Sequence, residues 1–299
     1  MRCRHFPSFL VATLSLGAGV VTAQVIPNIS EFQVNTETAY AQARPAVAAL
    51  PNGTFVVVWE SNDYVYPVGS RLVGQRYDAD GTPIDGEFEV ADILSYGMYN
   101  ARPNVDATAG NNFVVVWERN DVYAGYSVLS KVFSSTGIPI TSEAVVASAT
   151  GQLNDPDVAV MSDGDFVVVW AKPYIGPAPD DLSLGTIYGH RFDPANNPLA
   201  IEFRVDGQFG QERQNTAPAI TASPTGDFVV VWQSDPQSGV FEEGDVFARR
   251  FSDPITPQGD ELQINAPNSG PQVLPDVTTL ENGDFFRPRN CRTVSFTRV

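Results

Sequence analysis

Apolar residues fall in unbroken runs at a regular interval along this chain, and every run has the same spelling. Phe55-Val-Val-Val-Trp59, Phe113-Val-Val-Val-Trp117, Phe166-Val-Val-Val-Trp170 and Phe228-Val-Val-Val-Trp232 hold all four tryptophans, which are spaced by 58, 53 and 62 residues. A strand with one wet face alternates apolar and polar positions. A continuous aromatic and β-branched run instead predicts a strand covered on both faces. Ahead of each run stand a Pro-led apolar segment and a turn, as in Pro45-Ala-Val-Ala-Ala-Leu50 followed by Pro51-Asn-Gly53-Thr. Proline is tolerated as a strand's first residue, and Asn-Gly marks a hairpin. After each run a polar loop leads to a third segment: Arg71–Tyr77, Val128–Phe133, Ile187–Phe192 or Val246–Phe251. A fourth follows near Glu87–Val90, Glu143–Val146, Glu202–Val205 or Glu261–Ile264. No segment has a convincing 3.6-residue apolar period, so the chain is predicted all-β.

Four strands repeated at this interval predict sheets stacked face to face around an axis, a β-propeller of four-stranded blades. The units span about 45–90, 103–146, 156–205, 218–265 and 275–286, the last degenerate or truncated. Phe55, Trp59, Phe113, Trp117, Phe166, Trp170, Phe228 and Trp232 are its expected structural core, each tryptophan ending an inner strand and packing on the next blade. A β-solenoid would repeat every 20–30 residues or so. Tandem β-sandwiches, at about 100 residues each, are the alternative and would need two repeats per domain. Glu31-Phe-Gln-Val-Asn-Thr36 matches a fourth strand without the three that should precede it. Such a strand, exchanged between the termini, would close a ring of five and remove an exposed edge. The fifth unit opens as the others do, with Pro275-Asp-Val277 and Gly283-Asp-Phe285. It then turns into Phe286-Arg-Pro-Arg, and Arg287, Arg289, Arg292 and Arg298 make 287–299 an atypical basic tail. Of a degenerate closing unit and a shifted reading frame near Phe286, the second is the expectation.

Charge and the N-terminus bound the partners. Arg2 and Arg4, the apolar run from Phe9 to Val21 and the small residues Val21-Thr-Ala23 make residues 1–23 a secretory signal peptide. The run is shorter than the roughly 20 apolar residues of a membrane span. Removing Arg2 and Arg4 takes the formal charge from −17 to −19 and leaves Cys291 and His190 as the sole cysteine and histidine. An intrachain disulfide is then impossible even in an oxidising compartment. So acidic a chain excludes nucleic acid and anionic membranes as partners, and leaves extracellular protein or carbohydrate ligands.

The phrases Gly-x-Phe-Val-Val-Val-Trp-x-Ser (Ser61, Ser234), Gly74-Gln-Arg76-Tyr77-Asp78-Ala-Asp80-Gly81 and Glu-Phe-x-Val-Asn-Thr resemble a tandem repeat of large secreted bacterial proteins. That repeat often accompanies haemolysin-type calcium-binding or surface modules. The resemblance covers residues 31 to about 286 and implies an extracellular repeat module without catalytic residues to carry over. Asp78, Asp80 and Asp85 around Gly81 resemble part of a calcium loop, calcium being the one cofactor to consider. The corresponding turns of later units lack the full set, which favours a hairpin turn. Acidic residues after the tryptophans (Asp63, Asp121, Asp180, Asp181, Asp235, Glu242, Glu243, Asp245) would crowd one mouth of a ring. There they form a solvated rim, bind cations, or supply the acid and base of glycoside cleavage. Nucleophilic catalysis has only His190 as a base, at what reads as an outward polar position. The expectation is a secreted, non-catalytic module for binding, adhesion or surface display. The alternative is a carbohydrate-active enzyme, hydrolase or lyase, using rim carboxylates.

Overall fold

Each Phe-Val-Val-Val-Trp run is the second strand of an antiparallel sheet. The structure, a computed structural model, describes residues 31–39, 41–63, 69–92, 97–173, 185–207, 213–236, 244–252, 255–265, 272–280, 285–289 and 292–295. The segment 1–23 therefore lies outside the described residues. Unit 1 is β1 (Ala41–Ala49), β2 (Phe55–Asp63), β3 (Gly69–Tyr77) and β4 (Pro83–Ala91), paired in that order. Unit 2 repeats it with β5 (Met98–Ala107), β6 (Phe113–Asp121), β7 (Gly125–Phe133) and β8 (Ala144–Ala149). Unit 3 has β9 (Asn154–Val160), β10 (Phe166–Pro173), β11 (Gly185–Phe192) and β12 (Phe203–Arg204). Unit 4 has β13 (Arg213–Ala222), β14 (Phe228–Pro236) and β15 (Asp245–Ser252), with the short β16 (Thr256–Pro257) and β17 (Leu262–Gln263) both on β15. A bridge between Ser70 and Tyr99 joins units 1 and 2 into one sheet, and a fifth, smaller unit follows unit 4: β18 (Thr278–Thr279), β19 (Phe285–Arg289) and β20 (Arg292–Ser295). No helix occurs among the described residues.

The Pro-led strands β1, β5, β9, β13 and β18 lie side by side in succession, and the sheets fan outward from them in the propeller manner. This places the Phe-Val-Val-Val-Trp strand one step out from the axis, not innermost. It also reverses the expected direction of the tryptophan contact. Trp117 packs with Val56 and Val58 of the unit before it, and Trp170 with Val114 and Val116. Trp232 packs likewise with Val167 and Val169. The other face of each run supplies the valines for the unit that follows. Both faces are thus covered, which is why the run is unbroken.

Residues 31–36 do not form a strand, yet they take the place of a preceding unit's outer strand. The ring of Phe32 lies 5.3 Å from that of Tyr77, and Val34 joins Val57 and Trp59. Phe88 covers Phe113 and Phe133 in the same way, and Phe203 covers Phe228 and Phe251. A hydrogen bond repeats with them: Thr36 N donates to Glu87, as Gly207 N does to Glu261.

Each of β1, β5, β9 and β13 carries one bulge at a fixed place, and the bend ahead of β18 has the same backbone. The residue before the proline has positive φ in all five: Arg44 (50°), Arg102 (50°), Asp155 (53°), Ala217 (48°) and Leu274 (52°). In units 1 to 4 the register slips across that residue, at Ala43/Ala46, Ala101/Asn104, Asn154/Asp157 and Thr216/Ala219. Left-handed backbone costs a non-glycine residue about 1–2 kcal/mol, so five such positions need compensating contacts.

Candidate functional site at the axial mouth

The compensating contact comes from the residue that follows each tryptophan. Glu60 Oε1 accepts the backbone N–H of Arg102 at 2.6 Å, and Glu118 Oε1 accepts that of Asp155 at 2.5 Å. Gln233 Oε1 accepts that of Leu274 at 3.2 Å. One unit thereby holds the strained bulge of the next. Unit 3 has Ala171 at this position, so the link to Ala217 cannot form.

In units 1 and 2 the same carboxylates also bind the bulge side chain of their own unit. Arg44 Nη1 meets both oxygens of Glu60 at 2.9 Å. Arg102 Nη1 meets Glu118 at 2.8 and 3.0 Å, and Arg102 Nε lies 3.4 Å from Asp155. The result is a continuous arc, Arg44–Glu60–Arg102–Glu118–Asp155, at the inner ends of units 1 to 3. Ala171 interrupts it, and the remaining bulges are the apolar Ala217 and Leu274. The repeat breaks its symmetry at Asp155, whose own unit offers Ala171 where Glu60 and Glu118 stand in the others.

Electrostatics separates the members of the arc. Burial pushes the Glu118 carboxyl up to about 7. Arg102 and the Asp155 N–H oppose that rise, whereas the Asp155 charge adds to it. Burial works against the charge on Arg102, but Glu118, Asp155 and Glu60 together hold it more firmly protonated than usual. A carboxyl poised near neutrality beside a second carboxylate is the arrangement acid–base chemistry requires.

The carboxylates expected at the rim have mostly other duties. Asp121 accepts the N–H groups of Tyr123 and Ala124 in its own hairpin, at 2.9 and 3.2 Å. Asp235 is buried and takes Gln233 Nε2 at 2.8 Å; burial and the nearby Asp245 raise its carboxyl. Asp245 accepts Asn265 Nδ2 at 2.7 Å. Asp180, Asp181, Glu242 and Glu243 lie outside the described residues, as does the side chain of Asp63.

Asp78 tightens its turn by accepting the N–H groups of Asp80 and Thr82 at 3.0 and 2.8 Å. Ser134 and Asp193 perform the same service one and two units later. Asp80 is exposed, and Asp85 pairs with Arg76 at 3.0 Å. Among the described residues no group of three or more His, Cys, Asp or Glu is placed to hold a metal ion. His190 is not outward but half-buried, with Nε2 2.5 Å from Ala200 O and its ring against Phe192. Seven of the eight Phe and Trp positions are buried and Phe55 is partly so; Trp59 Nε1 donates to Gln42 and Trp117 Nε1 to Asn100, at 2.8 and 3.2 Å.

Sequence reasoning missed Glu60, Arg102, Glu118 and Asp155. A signal was there: the residues before each proline and after each tryptophan vary while their surroundings repeat.

No family model matches the chain, and no curated protein matches it. Solved structures do. A Penicillium chrysogenum α-L-arabinanase complexed with arabinobiose is 14% identical, covers 86% of this chain and 76% of its own, and has a TM-score of 0.58. The GH93 α-L-arabinofuranosidase of Fusarium graminearum with arabinobiose is 12% identical, covering 82% and 74%, with a TM-score of 0.57. A protein of unknown function from Dyadobacter fermentans is 12% identical, covering 83% and 74%, with a TM-score of 0.56. Likeness at this identity shows the fold, a β-propeller. It also corrects the expectation of a non-catalytic module for binding, adhesion or display. The two characterised proteins among these are an arabinanase and an arabinofuranosidase.

Proposed function

We propose that this protein is a secreted glycoside hydrolase on a five-unit β-propeller, acting on a neutral sugar chain of the arabinan kind. The observation that carries the reading is the pair Glu118 and Asp155, two carboxyl groups on one guanidinium, at the point where the repeat breaks. Glu118, with its carboxyl near 7, keeps a proton at mildly acidic pH and gives it to the glycosidic oxygen as the C–O bond breaks. Asp155, the second carboxyl on that guanidinium, takes a proton from the water that adds to the anomeric carbon. Arg102 holds the two in place. The neighbours' complexes with arabinobiose suggest the substrate class. Export through residues 1–23 would deliver the enzyme to extracellular polysaccharide. Residues 31–36, standing in for an outer strand, favour a ring in which the fifth sheet supplies the other three.

The test is release of reducing sugar from arabinan, arabino-oligosaccharides and other neutral polysaccharides by the purified chain. Wild type yields product. Glu118→Gln and Asp155→Asn each lose about 100-fold or more, the usual worth of a general acid or base, with melting temperature nearly kept. No product from wild type, or full activity in Glu118→Gln, overturns the proposal.

A further inference from the structure

The mouth has two unlike sides, and the glycosidase reading uses only one. Arg44, Arg102 and Asp155 occupy the bulges of units 1 to 3, whereas Ala217 and Leu274 occupy the equivalent bulges of units 4 and 5. All five stand just before a proline and share one backbone conformation, so their side chains leave the inner ends of the units in the same sense. Leu274 is 52% exposed, and its neighbour Val273 is 44% exposed. Leu274 stands in the bend ahead of β18, left-handed and with half its surface uncovered, which is costly twice over: in backbone strain and in wet apolar area.

The structure nonetheless fixes it. Its N–H is taken by Gln233 Oε1, and Gln233 is oriented by donating its own Nε2 to the buried Asp235. Asp235 thus settles which end of the amide faces Leu274. Gln233 thus holds the backbone of Leu274 as Glu60 and Glu118 hold those of Arg102 and Asp155, but at this place it presents a half-exposed leucine instead of a charged side chain.

We propose that Leu274 is the specificity-determining wall of the mouth. The C–H face of the sugar next to the scissile bond stacks on Leu274, while its hydroxyl edge meets Arg44, Arg102 and Asp155 on the opposite side. Sugars are amphipathic in this sense, and a site with one apolar wall and one hydrogen-bonding wall reads both faces. The inference rests on the glycosidase reading and adds the residue that selects the substrate within it.

The experiment compares Leu274→Ser with wild type in the full chain, using steady-state hydrolysis of a neutral arabino-oligosaccharide and calorimetric binding of the same sugar. Leu280→Ser, an exposed leucine of the same unit outside the bulge, is the control. Leu274→Ser raises KM and weakens binding roughly 10-fold, the worth of one aliphatic side chain, with kcat held. Leu280→Ser changes neither. Gln233→Ala, which frees Leu274 without removing it, gives a smaller shift in the same direction. If wild type cleaves the sugar and Leu274→Ser has unchanged KM and affinity, this inference fails alone. If wild type neither cleaves nor binds it, both readings fail together.

Discussion

Glu118 shows how one residue couples the fold to the chemistry. It is buried enough for its carboxyl to rise from the ordinary 4.5 to about 7, although a guanidinium is bonded to it. Desolvation therefore outweighs the ion pair at this position. An acid whose pKa is higher folded than unfolded is favoured in its protonated form. Its contribution to stability is complete below about pH 4.5 and disappears as pH rises through 7. At about 1.4 kcal/mol per pH unit the contribution is on the order of 3 kcal/mol. Urea unfolding of wild type and Glu118→Gln between pH 4.5 and 8 isolates it: wild type loses ground to the variant as pH rises. A constant difference across that range would show that Glu118 ionises normally. The same proton governs the proposed reaction, so hydrolysis should fall along an alkaline limb near pH 7, because the acid form is the donor. Coincidence of the two midpoints would tie both effects to one carboxyl.

Between third and fourth strands a small-for-large exchange sets how tightly successive units stack. Gly74 lies opposite Phe88 and Gly189 opposite Phe203, where a Cβ would fall 2.4 and 2.6 Å from the ring. Unit 2 places Ser130 opposite Ala144, and unit 4 Ala248 opposite Leu262. Where the third strand has glycine, the fourth has an aromatic that folds over it and reaches the next unit's stacked ring pair. Phe88→Ala should cost about 3–5 kcal/mol and Gly74→Ala about 1–3, the ranges for an emptied and an overfilled core. The double variant should be destabilised by clearly less than the two together, since the added methyl enters the space the ring has left. Additive costs in chemical denaturation would dismiss the exchange. Much of this level was legible in sequence: the unbroken runs, the turn residues and the all-β pattern follow from local chemistry. The Glu60–Arg102 and Glu118–Asp155 contacts were not. A carboxylate 16 residues after its arginine gains meaning only once the bulge turns a backbone N–H toward it from the adjoining unit, and no local pattern encodes that.

For the molecule as a whole, the seam where the first unit meets its predecessor's place matters most. Units 2, 3 and 4 each cover their leading face with valines of the unit before, but among the described residues unit 1 sets residues 31–36 against Phe55, Tyr77 and Trp59. The match of Glu31-Phe32 to Glu87-Phe88 was visible in sequence. That it folds back on unit 1 without forming a strand was not, because the strands beside it lie more than 200 residues away in any closed ring. Phe32 and Val34 act here as the outer strand's apolar side, and Tyr77 donates its hydroxyl to Val34 O at 2.5 Å. Burial and the Glu87 charge push that phenol up to about 12, so the bond persists across the whole working pH range. Replacing Phe32 and Val34 together with aspartate should uncover the apolar face of unit 1. Losing about 2 kcal/mol of burial in a domain of this size lowers the melting temperature by about 4–8 °C. The exposed face should also drive concentration-dependent association, read by light scattering on a sizing column. An unchanged melting temperature and a monodisperse monomer would mean that residues 31–36 merely lie on the surface. Loss on both counts would make them the cover that the leading face of unit 1 requires.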